Sequence, residues 1–194
     1  MNSQNNISIV IPVLNEGDSL KELFDELSDV LKTYISYEII FIDDGSDDNS
    51  FDILQEIANI DSRVSIIRLY KNYGKADALS IGFSKSIGDI IITMDADLQD
   101  DPYEIPRLVE KIQHGWDLVS GWKKQRKDPI SKRVPSKIFN FITRILTGID
   151  IHDFNCGFKA YKRKVVNVLD IYGGLYRYIP AIAEKKGFSV TEIE

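Results

Sequence analysis

Acidic side chains follow three short apolar segments of the sequence, and these positions are the strongest candidates for chemistry. The sharpest pair is Asp95 and Asp97, which are separated by one residue directly after Ile90–Met94. Mg²⁺ and Mn²⁺ prefer oxygen ligands, and Mg²⁺ is commonly held by one or two carboxylates together with substrate phosphates and water. Asp95 and Asp97 can therefore divide between them the binding of a metal ion and of a substrate or a metal-bound water. The other acidic positions are Glu16 after Ile7–Pro12, and Asp43 and Asp44 after Glu38–Ile42.

Other interpretations of these acids are open from the residues alone. Acidic residues at strand-to-helix turns often only cap the following helix, and this applies to Glu16 in particular. For Asp43, a structural role and a binding role are equally open. An EF-hand calcium loop starting at Asp95 is excluded, because its sixth position is not glycine and a strand-like segment precedes it. An aspartyl nucleophile of the phosphatase type has no lysine or threonine partner that stands out in the sequence.

Strand-like and helix-like segments alternate along the chain, and this alternation must position the acids. It predicts an α/β fold with a mostly parallel sheet covered by helices on both faces. Because ligands bind at the carboxyl ends of strands in such sheets, the acidic clusters are expected to converge on one edge. Predicted strands are Ile7–Pro12, Glu38–Ile42, Val64–Leu69, Ile90–Met94, Lys159–Tyr161 and Phe188–Ile193. Predicted helices are Leu20–Leu31, Phe51–Ala58, Ala76–Ser86, a segment after Pro102, Ser136–Leu146 and Val165–Leu169.

The composition restricts the class of protein. A chain of 194 residues with 43% hydrophobic and 28% charged residues is typical of one globular domain. The net charge of −6 argues against general nucleic-acid binding, which needs a broad basic face. The single cysteine, Cys156, excludes an internal disulfide and fits a reducing compartment. With no signal peptide and no long apolar stretch in the sequence, we expect a cytoplasmic location.

Positive charge is concentrated in one segment, Lys123–Arg133. This segment holds six basic residues against the single acid Asp128. The basic residues are Lys123, Lys124, Arg126, Lys127, Lys132 and Arg133. The segment is interpreted either as a solvated loop or as a site for phosphate groups and an anionic membrane surface.

Taken together, the motifs resemble the signature of family 2 glycosyltransferases of the GT-A fold. The segments that carry the resemblance are Val10–Glu16, Ile42–Ser46, Gly74–Leu79 and Met94–Gln99, in the expected order and spacing. The resemblance spans essentially the whole chain and is closest to the dolichol-phosphate mannosyltransferase-like and bacterial polyprenyl-phosphate branch. It implies a single GT-A catalytic domain over 1–194, an EC 2.4-type hexosyltransferase that inverts the anomeric carbon by direct displacement.

The resemblance also implies roles for individual residues. The nucleotide-sugar donor, a UDP- or GDP-sugar, would contact Pro12, Leu14, Glu16, Ile42, Asp44, Asp95, Ala96, Asp97 and Lys123. The divalent cation, Mg²⁺ or Mn²⁺, would be held by Asp95, Asp97 and Gln99. Asp97 and Asp153 are the candidate catalytic residues, with Asp153 in the segment expected beside the acceptor. Lys124, Arg126, Lys127 and Arg133 are the candidates for binding an acceptor phosphate.

Departures from the family pattern narrow the expected function. The QxxRW motif of processive polysaccharide synthases is absent from the sequence, which argues against a polymerase. Relatives in the polyprenyl-phosphate branch usually continue with a further basic donor-site segment and often with membrane helices. The chain is therefore expected to be truncated before these parts, and the full-length protein to associate with the inner face of the cell membrane.

The acceptor separates the functional hypotheses. A polyprenyl phosphate, undecaprenyl or dolichyl, is the leading acceptor, because a largely dianionic phosphate needs no strong general base. A glycan hydroxyl of the cell envelope is the alternative, and it would require a base such as Asp153. A nucleotide-sugar binding module without activity is the third, and the intact Glu16, Asp44, Asp95 and Asp97 disfavour it.

Overall fold

A computed structural model describes residues 6–122, 140, 143–144 and 148–194. Among these residues, seven strands form one sheet in the order β3-β2-β1-β4-β6-β5-β7. The strands are β1 (Ile7–Val13), β2 (Tyr37–Asp43), β3 (Val64–Arg68), β4 (Ile90–Thr93), β5 (Leu118–Gly121), β6 (Lys159–Lys162) and β7 (Val190–Ile193). The helices are α1 (Leu20–Leu31), α2 (Ser50–Ile60), α3 (Lys75–Lys85), α4 (Ile105–Gln113), α5 (Arg163–Val166) and α6 (Ile179–Lys185). Short 3₁₀ turns span Pro102–Glu104 and Gly173–Tyr178.

The sheet is mostly parallel, as predicted. Strands β1, β2, β3 and β4 pair in parallel, and so do β5 and β7. Strand β6 runs antiparallel to both β4 and β5. The carboxyl ends of β1, β2 and β4 therefore meet at one edge, while the segment that precedes β6 returns to that same edge.

Helices cover both faces of the sheet because the residues of the central strands alternate between them. Ile9 and Ile11 of β1 are fully buried in the larger core, together with apolar side chains of α1, α2 and α4. Val10 faces the opposite side, where the second core cluster contains Leu79 and Phe83 of α3. This sandwich fixes the strands rigidly and leaves the loops after them free to form a site.

The later part of the chain differs from the sequence prediction. The predicted helix Val165–Leu169 is observed as the shorter α5, which begins two residues earlier, at Arg163, and ends at Val166. The 3₁₀ turn at Gly173–Tyr178 and helix α6 were not predicted, because two glycines and Pro180 interrupt the apolar pattern there. The predicted helix Ser136–Leu146 lies mostly outside the described residues. No helix within the described ranges is long and apolar enough to cross a membrane.

Candidate active site

A cleft of about 450 Å³ opens at the carboxyl ends of β1, β2 and β4. The loops after these strands converge there, as the sequence predicted for the acidic clusters. Seven of the predicted donor-site residues line the cleft: Pro12, Leu14, Glu16, Asp44, Asp95, Ala96 and Asp97. The cleft thus carries four carboxylates at one edge of the sheet, which is a strongly negative environment.

Asp44 supports the cleft wall as well as lining it. The carboxylate is 4% exposed, and its two oxygens accept hydrogen bonds from the backbone N–H groups of Tyr73 and Gly74, each at 2.8 Å. Gly74 has a φ of +98° and immediately precedes α3, so the loop there needs an external anchor. Asp44 therefore fixes the start of α3 beside the cleft.

The neighbouring Asp43 has a structural role. Its side chain is completely buried and does not line the cleft. One carboxylate oxygen accepts a hydrogen bond from the backbone N–H of Ser46 at 2.9 Å, and the other lies 3.2 Å from Nε of Arg68. Of the two roles left open by the sequence for Asp43, the structure supports the structural one.

The pKa of Glu16 is affected by the charges of Asp95 and Asp97. Burial raises the pKa of Glu16, and the negative charges of Asp97 and Asp95 raise it further, against a hydrogen bond with Ser19 that lowers it. Such mutual repulsion is what a bound cation relieves. Asp97 is exposed, and its Oδ1 accepts a hydrogen bond from the backbone N–H of Gln99 at 3.1 Å.

The structure adds Lys75 to the site, which sequence analysis did not single out. Lys75 is the first residue of α3, lines the cleft, and forms an ion pair with Asp95. It is the only basic side chain among the described residues that line the cleft. The available signal was its place in the segment Gly74–Leu79, at the start of the helix that follows a parallel strand, where binding residues are expected.

Three predicted site residues lie elsewhere. Ile42 is fully buried and packs with Ile40 and Ala78, so its assignment to base or ribose contact is corrected: the alternation of β2 directs this side chain into the core. Gln99 does not line the main cleft but a neighbouring cavity of about 160 Å³. Asp153 is 2% exposed, and its Oδ1 accepts hydrogen bonds from the Asn155 backbone at 3.1 Å and from Asn140 at 3.4 Å.

The burial of Asp153 argues against the catalytic role assigned to it, because a general base must reach the substrate.

The predicted phosphate-binding residues Lys123, Lys124, Arg126, Lys127 and Arg133 lie outside the described residues. Their assignments stay predictions.

The turn before β6 is hydrogen-bonded to β4, the strand that precedes the candidate metal ligands Asp95 and Asp97. Thr93, the last residue of β4, donates a hydrogen bond from its hydroxyl to the carbonyl of Gly157 at 2.7 Å. Lys159 is 3% exposed and donates to the carbonyls of Phe154, at 3.3 Å, and Cys156. Burial lowers the pKa of the Lys159 ammonium. This turn therefore forms a fixed wall next to Asp95.

The carboxylates fit a hard divalent cation that is completed by its substrate. No group of three or more His, Cys, Asp or Glu side chains in the described ranges is arranged to hold a metal by itself. Mg²⁺ is usually bound by one or two carboxylates plus phosphates and water, so Asp95 and Asp97 suffice when a diphosphate is present. The raised pKa of Glu16 beside them is consistent with a place where positive charge is needed.

Curated relatives share substantial sequence identity with this chain. It is 40% identical over 189 residues to the undecaprenyl-phosphate 4-deoxy-4-formamido-L-arabinose transferase of Pseudomonas fluorescens (strain SBW25), covering 96% of this chain and 55% of the relative. It is 38% identical over 192 residues to the enzyme of the same name from Proteus mirabilis (strain HI4320), covering 98% of this chain and 59% of the relative. The chain thus spans somewhat more than half the length of these relatives.

Solved structures show the same fold. The glucosyl-3-phosphoglycerate synthase of Mycobacterium tuberculosis, in complex with phosphoglyceric acid, superposes with a TM-score of 0.75 at 20% identity, covering 97% of this chain and 69% of that one. A mannosyltransferase from Pyrobaculum calidifontis, in complex with GDP-Man and Mn²⁺, superposes with a TM-score of 0.73 at 16% identity, covering 98% and 55%. The fold is therefore the GT-A fold that the sequence motifs implied.

The family assignment follows from the sequence match together with this geometry. The family model described as glycosyl transferase family 2 matches residues 8–169, which include all three acidic clusters and the turn before β6. This chain belongs to glycosyl transferase family 2.

Proposed function

We propose that the protein transfers a sugar from a nucleotide-diphosphate donor to the phosphate of a polyprenyl phosphate, with a divalent cation and inversion at the anomeric carbon. The observation that carries the proposal is the convergence of Glu16, Asp44, Asp95 and Asp97 on one cleft at the carboxyl edge of the sheet. The names of the curated relatives support a polyprenyl phosphate as the acceptor.

The cleft divides into two functional parts. Pro12, Leu14, Glu16 and Asp44 lie at the ends of β1 and β2 and would bind the nucleoside. A carboxylate suits the donor groups of a base or ribose. Asp95 and Asp97, at the end of β4, would hold the metal and with it the diphosphate. Solved structures of the same fold in complex with GDP-Man and Mn²⁺, or with UDP and Mn²⁺, support a nucleotide-diphosphate donor together with a divalent cation.

The chemical demands on the protein are mainly electrostatic. When bound, the cation supplies charge stabilisation to the diphosphate that departs as the glycosidic bond breaks. Lys75 is placed to move its ammonium between Asp95 and the diphosphate, since it already reaches the metal-candidate carboxylate from the start of α3. Asp95 and Asp97 orient the donor so that the anomeric carbon faces the acceptor.

The acceptor phosphate fits the absence of an accessible base at Asp153. A phosphate monoester has a second pKa near 6, is largely dianionic at neutral pH, and attacks without losing a proton to the protein. A hydroxyl acceptor needs a general base within hydrogen-bond reach. Asp153 is buried and engaged with Asn155, so its position favours the phosphate over the hydroxyl acceptor.

Location at the inner face of the cell membrane is part of the proposal, since the proposed acceptor is a lipid. The basic segment Lys123–Arg133 would contribute about 1 kcal/mol per basic residue near an anionic surface. Replacing Lys124, Arg126, Lys127 and Arg133 with glutamine should then weaken binding to vesicles that contain anionic lipid. Unchanged vesicle binding would remove this segment from the proposal.

The direct test is a transfer assay with the full-length protein. Labelled UDP- and GDP-sugars are supplied with Mn²⁺, with and without polyprenyl phosphate, and then with a chelator in place of the metal. We expect a labelled lipid product that requires both the metal and the lipid phosphate. Transfer to a glycan hydroxyl instead, or donor binding without hydrolysis or transfer, would contradict the proposal.

A further inference from the structure

The 3₁₀ turn Gly173–Tyr178 is packed against α3, the helix whose first residue, Lys75, lines the cleft. Ile171, just before the turn, and Ile179, just after it, are buried with Leu79 and Phe83 of α3. The hydroxyl of Ser80 also donates a hydrogen bond to the carbonyl of Ile171 at 3.1 Å. Because both ends of the turn are anchored on α3, its side chains have a fixed position relative to the cleft.

Tyr176 lies between two cationic groups. The ammonium of Lys75 is 5.7 Å from the centre of the Tyr176 ring, and the guanidinium carbon of Arg177 is 5.4 Å from the same centre. Nε of Arg177 also donates to the Tyr176 hydroxyl at 3.2 Å. The Tyr176 ring thus lies between Lys75, which lines the cleft, and the second positive charge of Arg177.

Arg177 differs from the other described arginines in its partners. Within the described part of the chain its guanidinium has no carboxylate partner, and its two terminal nitrogens make no hydrogen bond to protein. The side chain is exposed. The others, Arg63, Arg68, Arg107, Arg144 and Arg163, each bond a carboxylate or a backbone carbonyl. Arg177 therefore presents the N–H donors of its two terminal nitrogens to solvent, while its Nε–H donates to the Tyr176 hydroxyl.

The negative charge of the cleft opposes the binding of a second phosphate unless a cationic side chain is near. Among the described residues that line the cleft, four carboxylates face the single ammonium of Lys75, so a second phosphate arriving near the donor is repelled unless positive charge accompanies it. A guanidinium with two free parallel donors matches the oxygen pair of a phosphate, and such bidentate bonds are among the strongest in proteins.

We propose that Arg177, held by Tyr176, binds the phosphate monoester of the acceptor beside the cleft. This inference rests on the proposed function, because it requires a phosphate acceptor. It assigns the acceptor phosphate to a part of the fold that the basic segment Lys123–Arg133 does not include.

The test measures acceptor and donor separately in the full-length protein. Arg177→Gln should raise the KM for polyprenyl phosphate about 10- to 100-fold, the range expected for losing a charge-assisted hydrogen-bonded pair. The dissociation constant of the donor nucleotide with Mn²⁺ should stay within about twofold, which also shows that the variant is folded. Arg177→Lys should recover only part of the loss, because lysine keeps the charge but not the fork. Tyr176→Phe should give a smaller rise in acceptor KM.

Arg63→Gln is the matched control, since it removes the same charge at the amino-terminal side of β2, far from the cleft edge. An unchanged acceptor KM in Arg177→Gln, or a loss of donor affinity instead, would overturn the inference. If the parent protein makes no lipid product, the proposed function fails separately, and titration with farnesyl phosphate decides the inference. Equal farnesyl phosphate affinity in parent and Arg177→Gln then refutes it, and a tenfold weaker affinity in Arg177→Gln supports it.

Discussion

Gly157 lies directly against the carboxylate of Asp95. A Cβ atom at Gly157 would lie 2.6 Å from each of the two Asp95 oxygens, a distance that real Cβ contacts do not reach. The hydroxyl of Thr93 donates a hydrogen bond to the carbonyl of Gly157, and this bond opposes a movement of the turn away from Asp95. The position and orientation of the Asp95 carboxylate therefore depend on a residue 62 positions later in the chain.

Gly157→Ala should displace Asp95 and weaken metal-dependent donor binding. Losing one metal–carboxylate contact is expected to lower the affinity for UDP or GDP with Mn²⁺ at least tenfold, about 1.4 kcal/mol. Affinity measured with a chelator should change little. Calorimetric titration in both conditions checks this.

Gly174→Ala is the matched control for that substitution. A Cβ at Gly174 meets nothing within 4 Å, and the residue is not in the left-handed region. It should bind nucleotide like the parent. If Gly157→Ala and Gly174→Ala bind nucleotide with Mn²⁺ equally well, the contact of Gly157 with Asp95 does not contribute to metal-dependent nucleotide binding.

Removing the charge of Asp97 should abolish most of the metal dependence of nucleotide binding. We expect Asp97→Asn to weaken binding with Mn²⁺ and to leave binding without metal unchanged, because the metal joins the carboxylate to the diphosphate. Asp52→Asn, on the exposed surface of α2, removes the same charge away from the cleft. A parent protein that binds UDP and GDP equally with Mn²⁺ and with chelator would disprove the metal assignment.

Asp44→Ala should reduce both nucleotide affinity and stability. For affinity we expect a loss of roughly 1 to 3 kcal/mol, the scale of a charge-assisted hydrogen bond. Stability should fall as well, because the N–H groups of Tyr73 and Gly74 lose their acceptor. Thermal unfolding and calorimetry separate the two effects. A variant that unfolds at a lower temperature yet binds nucleotide normally would show that Asp44 acts only as an anchor of the loop before α3.

Glu16→Gln should make the protein more stable at neutral pH while weakening donor binding. The pKa of Glu16 is raised in the folded state, so folding favours the protonated form. Its contribution to stability is therefore present below the unfolded pKa and is lost as pH rises through the raised folded pKa. The glutamine variant avoids that loss, and its advantage in Tm should disappear toward pH 4, where Glu16 is itself protonated. A lower Tm at pH 7 for the variant would contradict this reasoning.

The sequence by itself determined the sheet and the edge at which chemistry is expected. Apolar runs such as Ile7–Val13 must be buried on both faces, which requires a parallel sheet between helices, and the acids after β1, β2 and β4 then share one edge. These patterns are local, with each strand and its following turn contained in a few consecutive residues. That is why most of the residues that line the cleft could be predicted together.

The tertiary structure decided which side chains enter the cleft and what stands next to them. Ile42 matched the family motif but points into the core, because strand alternation and the packing of α3 direct it there. The contacts of Lys75 and Gly157 with Asp95, and of Lys75 with the Tyr176 ring, join segments that are distant in the chain. No local pattern encodes such pairs. The start of α3 must meet the loop after β4 at one edge of the sheet, β6 must pair antiparallel with β4, and the 173–178 turn must pack on α3.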